Sequence, residues 1–230
     1  MNEVYVIIPA LDEEESIVKV IEAIPQFVKE IIVVDNASSD NTSQNARNAG
    51  AIVLYEEKKG YGNACLKGID HLITKLNTSH KDIVVFLDGD FSDYPEDMIQ
   101  LIDPITHNEY DLVIGARNKA GRAKNSMTPQ QIFGNWLATK MMKFIYGYEF
   151  TDLGPFRAIK VGKLLQLQMT DKTYGWTVEM QVKALKQKLN VTEIPVRYRE
   201  RIGVSKVSGT FKGTILAGYK IITTIIKHAV

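Results

Sequence analysis

The chain opens with short apolar runs separated by longer amphipathic stretches. Val4–Ile8, Ile31–Val34, Ile52–Leu54, Ile83–Leu87 and Leu112–Ile114 are apolar almost without interruption. A strand with one wet face alternates apolar and polar residues, so uninterrupted runs of this length predict strands covered on both faces. Between them, helical spacing of apolar residues predicts helices over 13–24, 42–49, 62–76 and 95–102. Strand and helix in repeated alternation with short links imply an α/β fold built on a mostly parallel sheet with right-handed crossovers.

The pattern changes after Arg117. Residues 118–130 are basic, polar and poor in apolar side chains, which predicts a loop able to close over a site. A helix over 131–145, a loop over 151–157, a helix over 178–189 and a strand over 191–198 follow. In 210–227, Phe211, Ile215, Tyr219, Ile222 and Ile226 fall on one side of a helix, with Lys212, Lys220, Thr223 and Lys227 on the other. Such a helix either packs on the domain or lies on an anionic membrane surface. No repeat or linker is visible, so a single domain over 1–230 is expected. It comprises a ligand-binding half (1–117), a segment that elaborates the cleft (118–206) and the C-terminal amphipathic helix (207–230).

Composition narrows the function. The 230 residues carry 28 basic and 27 acidic side chains, net +1, so no global field recruits nucleic acid and any cationic function is local. Cys65 is the only cysteine, which rules out an internal disulfide and a zinc–thiolate cluster, and reads as a packing residue. The first residues lack the basic region of a signal peptide, and no run approaches the ~18 apolar residues of a membrane span. A cytoplasmic location is expected, or a peripheral one on the inner face of the membrane if the C-terminal helix lies there.

In parallel sheets, ligands bind off the carboxyl ends of the strands. Those ends lead into Pro9-Ala-Leu-Asp-Glu13, Asp35-Asn36, Asp88-Gly-Asp90 and Gly115-Ala-Arg117, so three acidic clusters and an arginine are expected at one cleft. Asp88 and Asp90 stand one residue apart at the tip of a buried strand. Desolvated like charges repel unless a cation sits between them, and hard carboxylate oxygens suit Mg²⁺ or Mn²⁺. The competing reading is a solvated Asp-Gly turn. Asp35 is placed to accept a hydrogen bond from a base or sugar hydroxyl, or to close an Asx-turn. Lys58-Lys-Gly-Tyr-Gly-Asn-Ala64 puts Gly60 and Gly62 before a helix, where backbone approaches an anion closely, with Lys59 adding charge.

Other chemistries lack their motifs. The first turn has no glycine, which argues against a dinucleotide-binding dehydrogenase, and the Walker A spacing is absent. His71, His80, His107 and His228 have no ligand spacing, and no Gly-x-Ser-x-Gly elbow occurs. Near the C-terminus, Arg197, Arg199, Arg201 and Lys206, with Ser205, read as a phosphate clamp or a solvated basic face.

Taken in order, these motifs resemble the inverting glycosyltransferases of family 2, and within them the branch that makes polyprenyl- or dolichyl-phosphate sugars. The resemblance runs through Val6–Ser16, Ile32–Thr42, Lys59–Ala64, Phe86–Asp90, Gly115–Arg117, Asp152–Arg157 and Arg201–Lys206. It implies a GT-A type fold, a nucleotide-diphosphate sugar donor and Mg²⁺ or Mn²⁺. By this resemblance Pro9, Ala10, Glu13 and Asp35 hold the nucleoside, with Lys59, Gly62 and Gly89 also on the donor side. Asp88 and Asp90 form the DxD motif that binds metal and diphosphate. Arg157, Arg201, Ser205 and Lys206 would face an acceptor phosphate, and Asp90, Arg117, Asp152 and Glu179 are the candidate catalytic residues.

Three departures from the family pattern bear on the acceptor. Ser92 stands where the lipid-phosphate synthases often carry a metal-binding glutamine, and the Asp152 loop is one residue shorter. Members that glycosylate a hydroxyl commonly carry a Glu-Asp pair whose Asp is the general base, whereas Trp176-Thr177 stand there, with Glu179 nearby. An alcohol needs a base at neutral pH, while a phosphate monoester is already anionic. A lipid-phosphate acceptor is therefore expected. The alternatives are a hydroxyl acceptor with Asp152 or Glu179 as base, and a catalytically silent nucleotide-sugar binder. A sugar-1-phosphate nucleotidyltransferase would carry a Gly-rich loop after the first strand, which is missing.

Overall fold

The computed structural model describes residues 2–107, 109–118, 121–124, 126–203 and 211–228, with side chains omitted for 211–215. Seven strands form one sheet: β1 (Val4–Ala10), β2 (Glu30–Asp35), β3 (Ile52–Tyr55), β4 (Ile83–Phe86), β5 (Leu112–Ala116), β6 (Arg157–Lys160) and β7 (Val191–Pro195). Their spatial order is β3-β2-β1-β4-β6-β5-β7. Pairing is parallel throughout except at β6, which runs antiparallel to both β4 and β5. The expected α/β fold with a mostly parallel sheet is what forms. β1, β2, β4 and β5 all end on the same edge.

Uninterrupted apolar runs become strands with two buried faces, and alternate residues serve opposite layers. On β1, Tyr5 and Ile7 enter one core while Val4, Val6 and Ile8 enter the other. The second layer is covered by α1 (Ile17–Glu22), α2 (Thr42–Asn48) and α4 (Met98–Thr106). The first is covered by α3 (Tyr61–Lys75), α5 (Pro129–Tyr146), α6 (Val161–Leu167), α7 (Trp176–Lys186) and α8 (Phe211–Lys227). Fully burying one of these aliphatic side chains contributes about 1.5–3 kcal/mol, and both layers supply many of them.

Two elements depart from the expectation. The stretch 157–167 was expected as loop and unassigned chain, yet it supplies an antiparallel strand in the middle of the sheet and a short helix. Its sequence, Arg-Ala-Ile-Lys, is short and flanked by cations, so it carries no apolar-run signal. The strand forms because β4 and β5 stand two strand widths apart and leave both ladders open to it. Helix α8 differs in orientation. It packs on α5 and α7 through Ile221, Thr224 and Ile225, while Tyr219 and Ile226 of the expected apolar face point outward at 67% and 51% exposure. Lys220, expected on the solvent face, reaches Asp171 at 3.0 Å.

Helix α5 begins where local chemistry dictates. Thr128 and Gln131 form a capping box, Pro129 fixes the first helical turn, and Gly147 ends the helix in the left-handed conformation. It is apolar on more than one side. Ala138 and Met142 face the core, while Phe133, Trp136 and Phe144 are exposed.

Candidate active site

The strand exits open into one cleft of about 640 Å³, large enough for a nucleotide sugar. Pro9, Ala10 and Glu13 line it from β1, Asp88, Gly89 and Asp90 from β4, and Arg117 from β5. Lys59, Gly60 and Tyr61 enter from the start of α3, and Arg201 from the segment after β7. On the opposite wall stand Gln130, Gly134 and Asn135 of the α5 region and Ala217, Gly218 and Ile221 of α8.

At the centre, Asp88 accepts a hydrogen bond from the Tyr61 hydroxyl at 3.1 Å. Asp90 is 2% exposed; its Oδ1 accepts from the Ser92 amide at 2.9 Å and the Ser92 hydroxyl, and its Oδ2 pairs with Arg201. Burial, reinforced by the charge of Asp90, pushes the Asp88 carboxyl up to about 6, with Arg201 pulling the other way. Such a pair attracts a small hard cation. Among the described residues no three His, Cys, Asp or Glu side chains cluster as a metal cage. Two carboxylates leave most positions around an ion to a diphosphate and water, which fits Mg²⁺ or Mn²⁺ better than a cage-seeking cation.

Arg117 forms the most extensively bonded ion pair in the site. Its Nε and Nη2 bond the two oxygens of Asp152, each at 2.7 Å, and its backbone amide bonds Asp152 Oδ2 at 2.8 Å. The guanidinium also lies over the Tyr198 ring, 5.2 Å from its centroid. Burial alone would raise the Asp152 carboxyl, but Arg117 outweighs it and holds the group below its usual range.

Several expected site residues lie elsewhere. Asp152 does not face the cleft; its oxygens are taken by Arg117 and the Leu153 amide, which leaves no free, basic oxygen for proton abstraction. Glu179 is buried beneath the 170–171 loop, accepting from Thr170 and Asp171 amides, the Thr170 hydroxyl and Lys183, outside the main cleft. It anchors a loop. Arg157, expected at an acceptor phosphate, is fully buried on β6 and donates to the carbonyls of Thr177 and Gly154. Burial lowers it to about 10, and its Nε has no partner among the described residues. Asp35 turns into its own loop, bonding the Ser38 amide and Ser43 hydroxyl, and the neighbouring Asn36 lines the cleft in its place.

Gly62 is also corrected. The amides of Gly62 and Asn63 donate to the carbonyls of Thr173 and Lys172, so protein backbone caps the start of α3 where an anion was expected. A Cβ at Gly62 would collide with the Asp171 carbonyl, and one at Gly60, whose φ is +145°, with that of Lys172. The basic run after β7 divides likewise. Arg197 pairs with Asp97 and stacks on Tyr94, and Arg199 lies 3.5 Å over the Phe91 ring. Of the arginines in this run, Arg201 alone lines the cleft, while Ser205 and Lys206 lie outside the described residues. The 118–130 segment is tied where described: Tyr198 exchanges backbone bonds with Gly121 and Ala123.

Three contributors escaped the sequence reading. Tyr61 lay inside a segment read for its glycines. Tyr198 lay at the end of an expected strand. Asp93 is 2% exposed, neither of its carboxyl oxygens has a partner among the described residues, and burial with the nearby charge of Asp88 raises it well above its ordinary value. Its sequence signal was its place three residues after a DxD pair.

Comparison with known proteins decides the family. The profile of glycosyl transferase family 2 matches residues 5–166, well over half of the chain. The chain belongs to glycosyl transferase family 2. An uncharacterized glycosyltransferase of Mycobacterium tuberculosis is 32% identical over 215 residues, 93% of this chain and 94% of that one. A UDP-N-acetylglucosamine–dolichyl-phosphate N-acetylglucosaminyltransferase of Methanococcus voltae is 28% identical, covering 95% and 92%. A dolichyl-phosphate hexose transferase of Haloferax volcanii is 26% identical, covering 99% and 96%. Among solved structures, glucosyl-3-phosphoglycerate synthase of Mycobacterium tuberculosis superposes with a TM-score of 0.77 at 21% identity, over 99% of this chain and 80% of that one. It was crystallised with Mn²⁺, UDP and product, and the likeness shows that this family member has the GT-A type fold.

Proposed function

We propose that this glycosyltransferase moves a sugar from a nucleotide-diphosphate donor onto the phosphate of a polyprenyl lipid at a membrane surface. The observation that carries the acceptor is the wall opposite the strand tips. Helices α5 and α8 line the cleft with Gly134, Ala217 and Gly218, and present Phe133, Trp136, Phe144, Leu216, Tyr219 and Ile226 outward. Neither helix contains an acidic residue, but Lys140 and Lys143 pair with Glu149 and Lys220 with Asp171, which leaves Lys227 as the exposed helix cation without an ion pair among the described residues. The exposed apolar side chains, more than net charge, suit a bilayer surface, and the cleft opens beside them. No helix among the described residues is long and apolar enough to cross a membrane.

The chemistry supports the same acceptor. Both carboxylates weighed as a base for a hydroxyl, Asp152 and Glu179, are committed to internal contacts. A phosphate monoester needs no base. Pro9, Ala10, Glu13 and Asn36 would bound the nucleoside, and Lys59 would lie along the diphosphate. Asp88 and Asp90 would hold Mg²⁺ or Mn²⁺ there, and a divalent ion so placed stabilises the charge that develops on the departing nucleoside diphosphate. Arg117 is fixed by Asp152 and cannot swing, so it presents a stationary positive edge to the reacting phosphates. Relatives named for dolichyl-phosphate acceptors match nearly the whole chain and favour this reading.

The test uses anionic vesicles containing a short polyprenyl phosphate, a panel of nucleotide sugars and Mn²⁺. Expected is a lipid-linked sugar in the floated fraction, with the protein floating too. Donor turnover only with soluble saccharides, and no flotation, would overturn the lipid acceptor.

A further inference from the structure

The four oxygens of Asp88 and Asp90 are not equivalent. Tyr61 holds Asp88 Oδ1 from the first turn of α3, and Ser92 holds Asp90 Oδ1 through both its amide and its hydroxyl. These donors are neutral and fixed to rigid elements. The two Oδ2 atoms remain. Asp88 Oδ2 has no hydrogen-bond partner among the described residues, and Asp90 Oδ2 carries Arg201. Arg201 keeps 29% of its side-chain surface exposed, and its segment is tied down by the Ile202 amide bonding the Asp90 carbonyl at 3.0 Å.

We infer that Arg201 is a resident counter-ion of the carboxylate pair, displaced when a divalent cation and the donor enter, while Tyr61 and Ser92 are positioning residues that leave the two Oδ2 atoms to meet that cation. This rests on the donor-and-metal reading of the cleft but not on the lipid acceptor. A divalent ion on Asp90 Oδ2 would sit a few ångströms from the Arg201 guanidinium on the same oxygen, and the like charges repel, so entry of the ion disfavours the Arg201 contact. In the free protein Arg201 relieves the repulsion between the carboxylates and competes with the ion. A diphosphate reverses the balance, because it offers the displaced guanidinium a new anionic partner beside its old one. Metal and donor then bind cooperatively, with Arg201 carrying the coupling. Tyr61 acts in the opposite sense: by fixing one oxygen of Asp88 it holds the other toward the cleft.

The test is Mn²⁺ binding without acceptor, followed by electron paramagnetic resonance of the free ion, with and without UDP. Arg201→Gln should bind Mn²⁺ alone about tenfold more tightly than the native protein, the size expected for one charge-assisted contact. It should also lose most of the tightening that UDP confers. Arg201→Lys, which keeps the charge but not the planar fork, should fall between. Tyr61→Phe, which keeps the ring, should bind Mn²⁺ severalfold more weakly. Circular dichroism and thermal melts establish that each variant is folded. Unchanged or weaker Mn²⁺ binding in both Arg201 variants, or native binding in Tyr61→Phe, would overturn the inference. If no protein, native or variant, binds Mn²⁺ even with UDP present, the donor-and-metal reading itself fails.

Discussion

Two arginine–aspartate pairs stand at the cleft, and they differ in how completely they are closed. Arg117 grips both oxygens of Asp152, adds its own backbone amide, and leaves only 13% of its side chain exposed. Arg201 meets Asp90 with a single nitrogen and remains 29% exposed. A bidentate, desolvated pair is costly to open, because separating it strands a buried charge. Asp90 is just as buried, but Arg201 holds it at one point while Ser92 donates twice to its other oxygen, so losing that contact strands less. The difference teaches that the same two residue types serve as a strut in one place and an exchangeable contact in the other, and geometry alone tells them apart.

The largest expected effect comes from the open pair. Asp90→Ala should lower transfer by on the order of 10³-fold with the fold intact, read as nucleotide release alongside a circular-dichroism spectrum. Turnover near the native rate would remove Asp90 from the chemistry. The closed pair should behave in the opposite way. Asp152→Asn leaves Arg117 buried without its counter-charge and should cost about 3–5 kcal/mol of stability, roughly 10 °C or more in Tm. Adding Arg117→Met to that variant should recover part of the loss; a melt no better than the single variant would break the contrast. Gly62→Ala should cost about 1–3 kcal/mol, since its Cβ meets fixed backbone rather than a movable side chain.

Acidity separates the pairs too. Asp88, raised to about 6 by burial and by Asp90, must lose its proton to hold a cation. Mn²⁺ affinity of the free protein should therefore fall about fivefold between pH 6 and 5. Because the folded state binds this proton more tightly than the unfolded chain, the group favours folding below pH ~4 and loses that contribution as pH rises towards 6. Asp152, held low by Arg117, keeps its charge through that window. Smallest in its effect on transfer, Arg197→Ala should leave turnover unaltered because the pair lies away from the cleft, while costing about 1–3 kcal/mol of stability because Asp97 is buried and loses its charged partner. Lost activity there would restore the wider basic clamp.

Much of the donor side was legible beforehand. Five apolar runs gave β1 to β5, and the exits of β1, β4 and β5 do meet at one cleft. What escaped was governed by tertiary context. Arg157–Lys160 becomes a strand because two neighbours leave ladders open, and no local pattern announces that. Glu179 and Asp152 look like catalytic carboxylates in sequence, yet nearby amides and cations consume them. Gly60 and Gly62 were read correctly as points of close approach, but the partner is the 171–173 backbone. A glycine reports that something comes near, not what.

That last contact has a consequence for engineering. The opening turn of α3 belongs to the first half of the chain, while the carbonyls that cap it come from the second, with Glu179 and Lys220 bracing them. A chimaera that swaps the second half between relatives would leave those amides facing a foreign loop. Such grafts should succeed only when residues 60–63 travel together with 170–179, as one heritable module.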